Sequence, residues 1–249
     1  MTDLSNHFPR IRCAGEGALL LELSDRIDME VNLKLHRIRE SLMSKPRAGL
    51  IECVVAYSSM AVYYDPLVMD PEALSSTIMT LLNQGAQMGR GQREVVHIPV
   101  CYGGEMGPDI ETVASHTGLS EDEVVRRHSS REYYCYMVGF TPGFPYLGGM
   151  DESLETPRLK IPRKCIPAGS VGIAGKQTGV YPIESPGGWQ LIGRTPLKLF
   201  DPSREEPTLI RAGDFVRFVP IDLAEFQRIS KEVMAGTYRV KRQRGGEEA

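Results

Sequence analysis

The 249-residue chain reads as an α+β protein in two parts: an N-terminal small α+β sandwich over residues 1–88, then a β-barrel domain over residues 93–240, with a disordered charged tail at 241–249. Three observations predict this. The length exceeds what one hydrophobic core commonly serves. The first part orders strand-like and helix-like runs as β-β-α-β-β-α. Residues 139–196 punctuate short apolar runs with Gly and Pro, which favours short strands joined by shaped turns. That stretch also carries Phe140, Phe144, Tyr146, Leu147 and Trp189, which a flexible linker would not.

Taken in order, residues 10–23 read as two strands around an Ala14-Gly15-Glu16-Gly17 turn. Ile27, Val31, Leu35, Ile38 and Leu42 then recur at spacings of four and three, one apolar stripe of a helix that Asp25 caps and Lys45-Pro46 ends. Residues 50–57 and 60–64 form a hairpin across Ser58-Ser59. Asp70-Pro71-Glu72 starts a second helix, with Leu74, Ile78 and Leu81 on its buried face. Both helices are expected on one side of an antiparallel sheet. Residues 84–92 are rich in glycine, lack aromatics and read as a linker.

Beyond it, 94–102 is a strand, and 108–116 and 121–128 are helices, the latter behind a Ser120/Glu123 capping box. Residues 131–138 return to strand. After the glycine- and proline-rich stretch, Ala212-Gly213-Asp214 turns into a strand at 215–219, and 223–234 is a last helix.

Composition excludes several functions. A net charge of -3 offers no global attraction to nucleic acid or anionic membrane. No apolar run approaches the length of a membrane helix, and the N-terminus lacks the pattern of a signal peptide. Five scattered cysteines make neither a disulfide framework nor a zinc site, so a reducing cytoplasm is expected. Residues 113–124 have the look of a helix-turn-helix, but Glu121, Asp122 and Glu123 would lead into the phosphates, so a structural hairpin is expected. Residues 169–179 fail the P-loop pattern at Ser170 and Gln177. The five histidines show no ligand spacing, and no G-x-S-x-G elbow is present.

Arg158, Lys160, Arg163 and Lys164 stand between prolines and beside the aromatic turns. Such a cluster suits a carboxylate or phosphate, with arginine supplying a bidentate fork. Tyr146, Tyr181, Trp189, Gln190 and Arg194 could line the same cleft, although Trp189 reads better as barrel packing. A cis bond is conceivable before Pro145.

Four motifs then carry a resemblance: G-F-T-P-G-F-P-Y-L-G-G from Gly139, T-P-R-x-x-x-P-R from Thr156, P-A-G-S-V-G-I-A-G-x-Q-T-G-V-Y-P from Pro167, and S-P-G-G-W-Q-L-I-G-R-T-P from Ser185. Together they resemble the carboxyltransferase C/D family. That family includes the B-subunit of ATP-dependent 5-oxoprolinase, the sporulation histidine-kinase inhibitor KipI, allophanate hydrolase subunit 1, and half of the carboxyltransferase domain of urea carboxylase.

The resemblance implies a cyclophilin-like β-barrel for the second domain and an enzyme subunit inactive alone. Its reaction would be the opening of 5-oxoproline to L-glutamate with ATP hydrolysis, ATP with Mg being the cofactor of the complex. The implied partners are the C-subunit, a paralogous carboxyltransferase-type protein, and a third component, the A-subunit. On this reading Arg158, Arg163 and Lys164 are the catalytic candidates. Tyr146, Lys160, Gln177, Tyr181, Gln190 and Arg194 are substrate-binding candidates, and no protein metal site is expected. Two alternatives share the motifs: an inhibitor of sensor histidine kinase autophosphorylation, and a carboxyltransferase component whose biotin-bearing domains would come from elsewhere.

Overall fold

The computed structural model describes residues 8–84 and 94–244. The chain falls into two compact units, Met1–Gly91 and Gln92–Ala249. Of the expected linker, only Gln84 lies within the described residues.

The first unit runs β1 (Arg10–Cys13), β2 (Ala18–Glu22), α1 (Met29–Met43), β3 (Leu50–Val55), β4 (Ser59–Tyr64) and α2 (Pro71–Gln84). Its strands form an antiparallel sheet in the order β1-β2-β4-β3. Period-two alternation gives that sheet one apolar face: Met60, Val62 and Tyr64 are buried, whereas Tyr63 between them is exposed. Leu35, Ile38 and Leu42 of α1, with Leu74 and Ile78 of α2, complete the core against that face.

The start of α1 departs from expectation. Asp28, not Asp25, caps the helix, its side chain accepting from the Val31 N–H at 3.0 Å. Ile27 lies outside the helix and is exposed. The buried stripe begins instead at Asn32, whose amide donates to the Ala56 and Tyr57 carbonyls beyond the end of β3. An apolar periodicity cannot register a buried asparagine that satisfies two backbone carbonyls.

The second unit runs β5 (Glu94–Tyr102), α3 (Ile110–Thr117), α4 (Glu121–Ser129), β6 (Glu132–Gly139), β7 (Phe144–Gly148), β8 (Arg163–Ile166), β9 (Ser170–Ala174), β10 (Gln177–Val180), β11 (Ser185–Gly187), β12 (Gln190–Arg194), β13 (Phe215–Pro220), α5 (Leu223–Met234) and β14 (Arg242–Arg244). Seven strands close a barrel in the order β12-β9-β10-β7-β6-β13-β5. The seam back to β12 is short: Gly193 opposite Tyr102 and Arg194 opposite Cys101. Only β5 and β13 among the barrel neighbours run parallel. β8 and β11 form a separate two-stranded ribbon. The bond before Pro145 is trans.

Helices α3 and α4 pack on β12 and β13 as a structural pair. Ser120 caps α4 by accepting from the Glu123 N–H, but the Glu123 carboxylate turns to Arg126 and Arg127, so half of the expected capping box forms. The tail is also corrected. Its first residues are not disordered but form β14, which pairs with the N-terminal half of β5. That half is left open because β12 reaches only the other end of β5. Arg242 anchors the strand on Glu94 at 2.8 Å and on the Leu209 carbonyl at 2.6 Å.

The barrel interior is filled by Ile98, Val100, Tyr133, Ile173, Ile192 and Phe218. Within it lies one polar chain. The Thr178 hydroxyl donates to the Gly172 carbonyl at 3.1 Å, so it accepts from the His128 Nε2–H at 2.8 Å. His128 Nδ1 then accepts from the Tyr102 hydroxyl, also at 2.8 Å. Burial lowers the His128 pKa to about 3, so the ring is neutral and fully partnered. His97 is lowered as well, by burial first and then by Lys241 and Arg217.

These histidines predict acid lability with a definite sign. The unfolded chain protonates histidine near a pH of about 6.5 while folded His128 stays neutral, so the unfolded state binds more protons below that point. Stability should therefore fall as pH drops from about 6.5 towards the folded value, by at most about 1.4 kcal/mol per pH unit for one such group. Urea unfolding across that window measures the slope. His128→Gln should flatten it, and an unchanged slope would refute the assignment.

Candidate functional site

A cleft of about 170 Å³ opens on the side of β7 and β10 away from the barrel core, beside the β8–β11 ribbon. Strand alternation decides which side chains reach it. Along β10, Thr178 and Val180 face the barrel interior, leaving Gln177 and Gly179 for the cleft side. Along β7, Leu147 belongs to the barrel core, whereas Phe144 and Tyr146 join a second cluster with Tyr181 and Trp189.

The aromatic walls meet edge to face. Phe144 lies 5.5 Å from Tyr146, 5.6 Å from Tyr181 and 5.6 Å from Trp189, ring centre to ring centre. Such T-shaped contacts fix ring orientation more firmly than a greasy core would. Gly179 makes them possible. A Cβ there would stand 3.1 Å from both the Phe144 and Trp189 rings, so bare backbone is what lets the aromatics lie on the strand. At the rim, Phe140 is 74% exposed and sits in the left-handed region at φ 61°. Holding a non-glycine residue there costs about 1–3 kcal/mol, a strain typical of functional turns.

Among the described residues, the one arginine lining the cleft is Arg158, its guanidinium carbon 5.9 Å from the Trp189 ring centre. The segment bearing it is tied down on three sides. Thr156 bridges to Gly175, Gln190 Nε2 donates to the Pro157 carbonyl at 2.9 Å, and the Leu159 N–H donates to Gly188 at 2.7 Å. Opposite, Tyr181 is buried, with the Trp189 backbone beside its hydroxyl. Burial raises its pKa, against the lowering effects of that backbone and of Arg158 and Arg163, so the phenol keeps its proton near neutral pH.

The sequence candidates thus divide. Arg158, Tyr146, Gln177 and Tyr181 line the cleft, and so does Trp189. Phe144 is buried, unlike its neighbour Phe140. Gln190 stands behind the cleft and holds the Arg158 segment. Arg194 is spent on the Ala168 carbonyl at 2.9 Å. Lys160 and Lys164 do not line the cleft.

Arg163 is turned away to Asp109, at 2.6 Å. The other Asp109 oxygen accepts from the Leu191 N–H at 2.7 Å, and the Asp109 N–H donates to the Leu191 carbonyl at 2.8 Å. Sequence reasoning missed Asp109 altogether, because its partner lies 54 residues away; only its place just after Pro108 and before a helix marked it. Among the described residues, no group of three or more His, Cys, Asp or Glu side chains could hold a metal ion.

Comparison with known proteins agrees with the motif resemblance. The family described as carboxyltransferase domain, subdomain C and D, matches residues 9–210. The chain is 45% identical over 233 residues to the 5-oxoprolinase B-subunit of Bacillus subtilis, covering 90% of this chain and 97% of that one. The protein of the same name from Escherichia coli O157:H7 is 45% identical over 216 residues, 85% of this chain and 96% of its own. Among solved structures, TTHA0988 superposes with a TM-score of 0.74 at 37% identity, covering 86% of this chain but only 40% of that longer one. The Kluyveromyces lactis urea carboxylase superposes at 0.72 with 18% identity over 94% of this chain and 24% of its own, a likeness of fold alone.

The Asp109 arrangement generates a stability prediction. Asp109→Ala removes the partner of Arg163 and the acceptor of a buried N–H, which should cost about 2 kcal/mol. A lowered urea midpoint at unchanged slope would be the readout. Arg163→Ala should be milder, since that side chain is partly exposed. A larger loss from Arg163→Ala than from Asp109→Ala would contradict this account.

Proposed function

The chain belongs to the carboxyltransferase subdomain C and D family, and from that premise we propose that it works as the B-subunit of a 5-oxoprolinase, opening 5-oxoproline to L-glutamate with ATP hydrolysis. The observation that carries this reading is 45% identity, across 90% of the chain, to a protein of that name. The cleft supports it. 5-Oxoproline is a small flat lactam with one carboxylate, and a cavity of about 170 Å³ is below the range of about 300–1,000 Å³ usual for larger ligands. Aromatic edges and faces suit the ring, and Arg158 suits the carboxylate through a charge-assisted fork.

The residues of this cleft do not fit the nucleotide. The cleft is too small for a triphosphate, and residues 169–179, glycine-rich as they are, form the β9–β10 hairpin rather than a loop leading into a helix. In this reading ATP and its Mg ion bind elsewhere in the complex, while this chain holds and orients the lactam. The partners would be the C-subunit, a paralogous carboxyltransferase-type protein, together with the A-subunit. The greater length of TTHA0988, of which the matched region is 40%, supports a further module working beside this one. A cytoplasmic setting suits the five free cysteines. The kinase-inhibitor alternative draws support only from the exposed Phe140.

Purification from native cells, with identification of the companions and assay of 5-oxoproline-dependent ATP hydrolysis and glutamate release, tests the function. A paralogous partner and activity are expected; a histidine kinase without activity would favour the inhibitor. Within the active complex, Arg158→Ala should raise KM for 5-oxoproline by roughly 10- to 100-fold, whereas Lys164→Ala should leave it unchanged. Equal effects from both would remove Arg158 from the site.

A further inference from the structure

The Tyr181 hydroxyl has an unusual position for a buried phenol. The Trp189 backbone lies beside it and lowers its pKa against the effect of burial. Among the described residues its own proton meets no protein acceptor, whereas the buried Tyr102 and Tyr133 hydroxyls each have a partner, at 2.8 and 2.7 Å. The ring is buried while Tyr181 lines the cleft, so the hydroxyl proton is available to a molecule bound there. The ring cannot swing to find another partner, because it is wedged edge-on against both Phe144 and Trp189.

What the hydroxyl faces is the cleft. Gly187, which lines it, has no Cβ; one built there would lie 2.4 Å from the Tyr181 hydroxyl and 2.8 Å from Ile166 Cδ1. Glycine at that position therefore keeps the hydroxyl open to a small molecule. Arg158 and Arg163 both act electrostatically on the phenol, which strengthens it as a donor and disfavours a cationic ligand group beside it.

We propose that Tyr181 is a specificity-determining residue of the cleft, donating its hydroxyl proton as a hydrogen bond to the neutral carbonyl oxygen of a cyclic amide whose carboxylate is held by Arg158. This rests on the reading of the cleft as the 5-oxoproline site. The two poles divide recognition: the arginine reads the charge and the phenol reads the lactam. A cyclic amino acid without the carbonyl would leave the phenol unpaired and be rejected. No covalent step is assigned to Tyr181.

The test uses the assembled, active complex and two ligands, 5-oxoproline as substrate and 2-pyrrolidinone, the same lactam without a carboxylate, as competitor. Tyr181→Phe keeps the ring and removes only the donor. It should weaken both ligands by about 3- to 10-fold, as expected for one neutral hydrogen bond. Arg158→Ala should weaken 5-oxoproline alone. Gly187→Ala, which presses a methyl group onto the hydroxyl, should weaken both ligands as Tyr181→Phe does, and serves as the second variant if Tyr181→Phe assembles poorly. If Tyr181→Phe and Gly187→Ala leave both ligands unchanged while Arg158→Ala weakens 5-oxoproline, the proposal fails and the site reading survives. Failure of 2-pyrrolidinone to compete with the unsubstituted complex also overturns the proposal. If no variant changes either ligand in an active complex, the site reading itself fails.

Discussion

Asp109 accepts from two elements at once, the Arg163 guanidinium of β8 and the Leu191 backbone of β12, while its own N–H returns a bond to Leu191. One residue at the start of α3 thereby joins a barrel strand to the ribbon outside the barrel. The ribbon cannot drift, because β11 is paired to β8 and carries Gly187 at the cleft wall. The cleft walls on β7 and at the end of β10 are rings in edge contact, which orient one another there. Removing a carboxylate that bonds a charge and a buried N–H would leave both uncompensated, which makes this a point of low tolerance.

The same logic divides what was legible in the sequence from what was not. The last helix was readable over residues 223–234 because its signals are local: Asp222 accepts from Glu225 N–H, and apolar residues recur at helical spacing. The turn-rich β region was readable because glycine and proline punctuate it at short range. For the opposite reason, the Asp109 pairing of Arg163 was not readable. In a row of Arg158, Lys160, Arg163 and Lys164 nothing marks which guanidinium will meet a carboxylate from a distant helix end. Likewise β14 could not be read, since it depends on a gap that β12 leaves along β5. Charge patterning describes solvation well and pairing across the fold poorly.

Family membership and fold were carried by the four motifs, and the geometry explains why those motifs are long. Residues of G-F-T-P-G-F-P-Y supply the strained rim at Phe140 and the walls Phe144 and Tyr146. The P-R of the second motif supplies Arg158, and Gln177 and Tyr181 come from the third. The fourth brings Gly187, Trp189 and Gln190, of which Gln190 acts on Arg158 only through the Pro157 carbonyl. Four separate stretches of chain thus converge on one cavity, while the buried His128 chain keeps the opposite side of β10 in register with the barrel.

The glycines at 179 and 187 have a bearing on how such a site can diverge. Where a wall is bare backbone, substitution can only subtract space; it cannot add a new recognising group without displacing an aromatic ring or the Tyr181 hydroxyl. Descendants of this scaffold that acquire other ligands are therefore constrained to change at the rim and in the segment around Arg158, where side chains are exposed and can be exchanged freely. The cavity floor is a frozen part of the design, and evolutionary or engineered novelty has to enter from its edge.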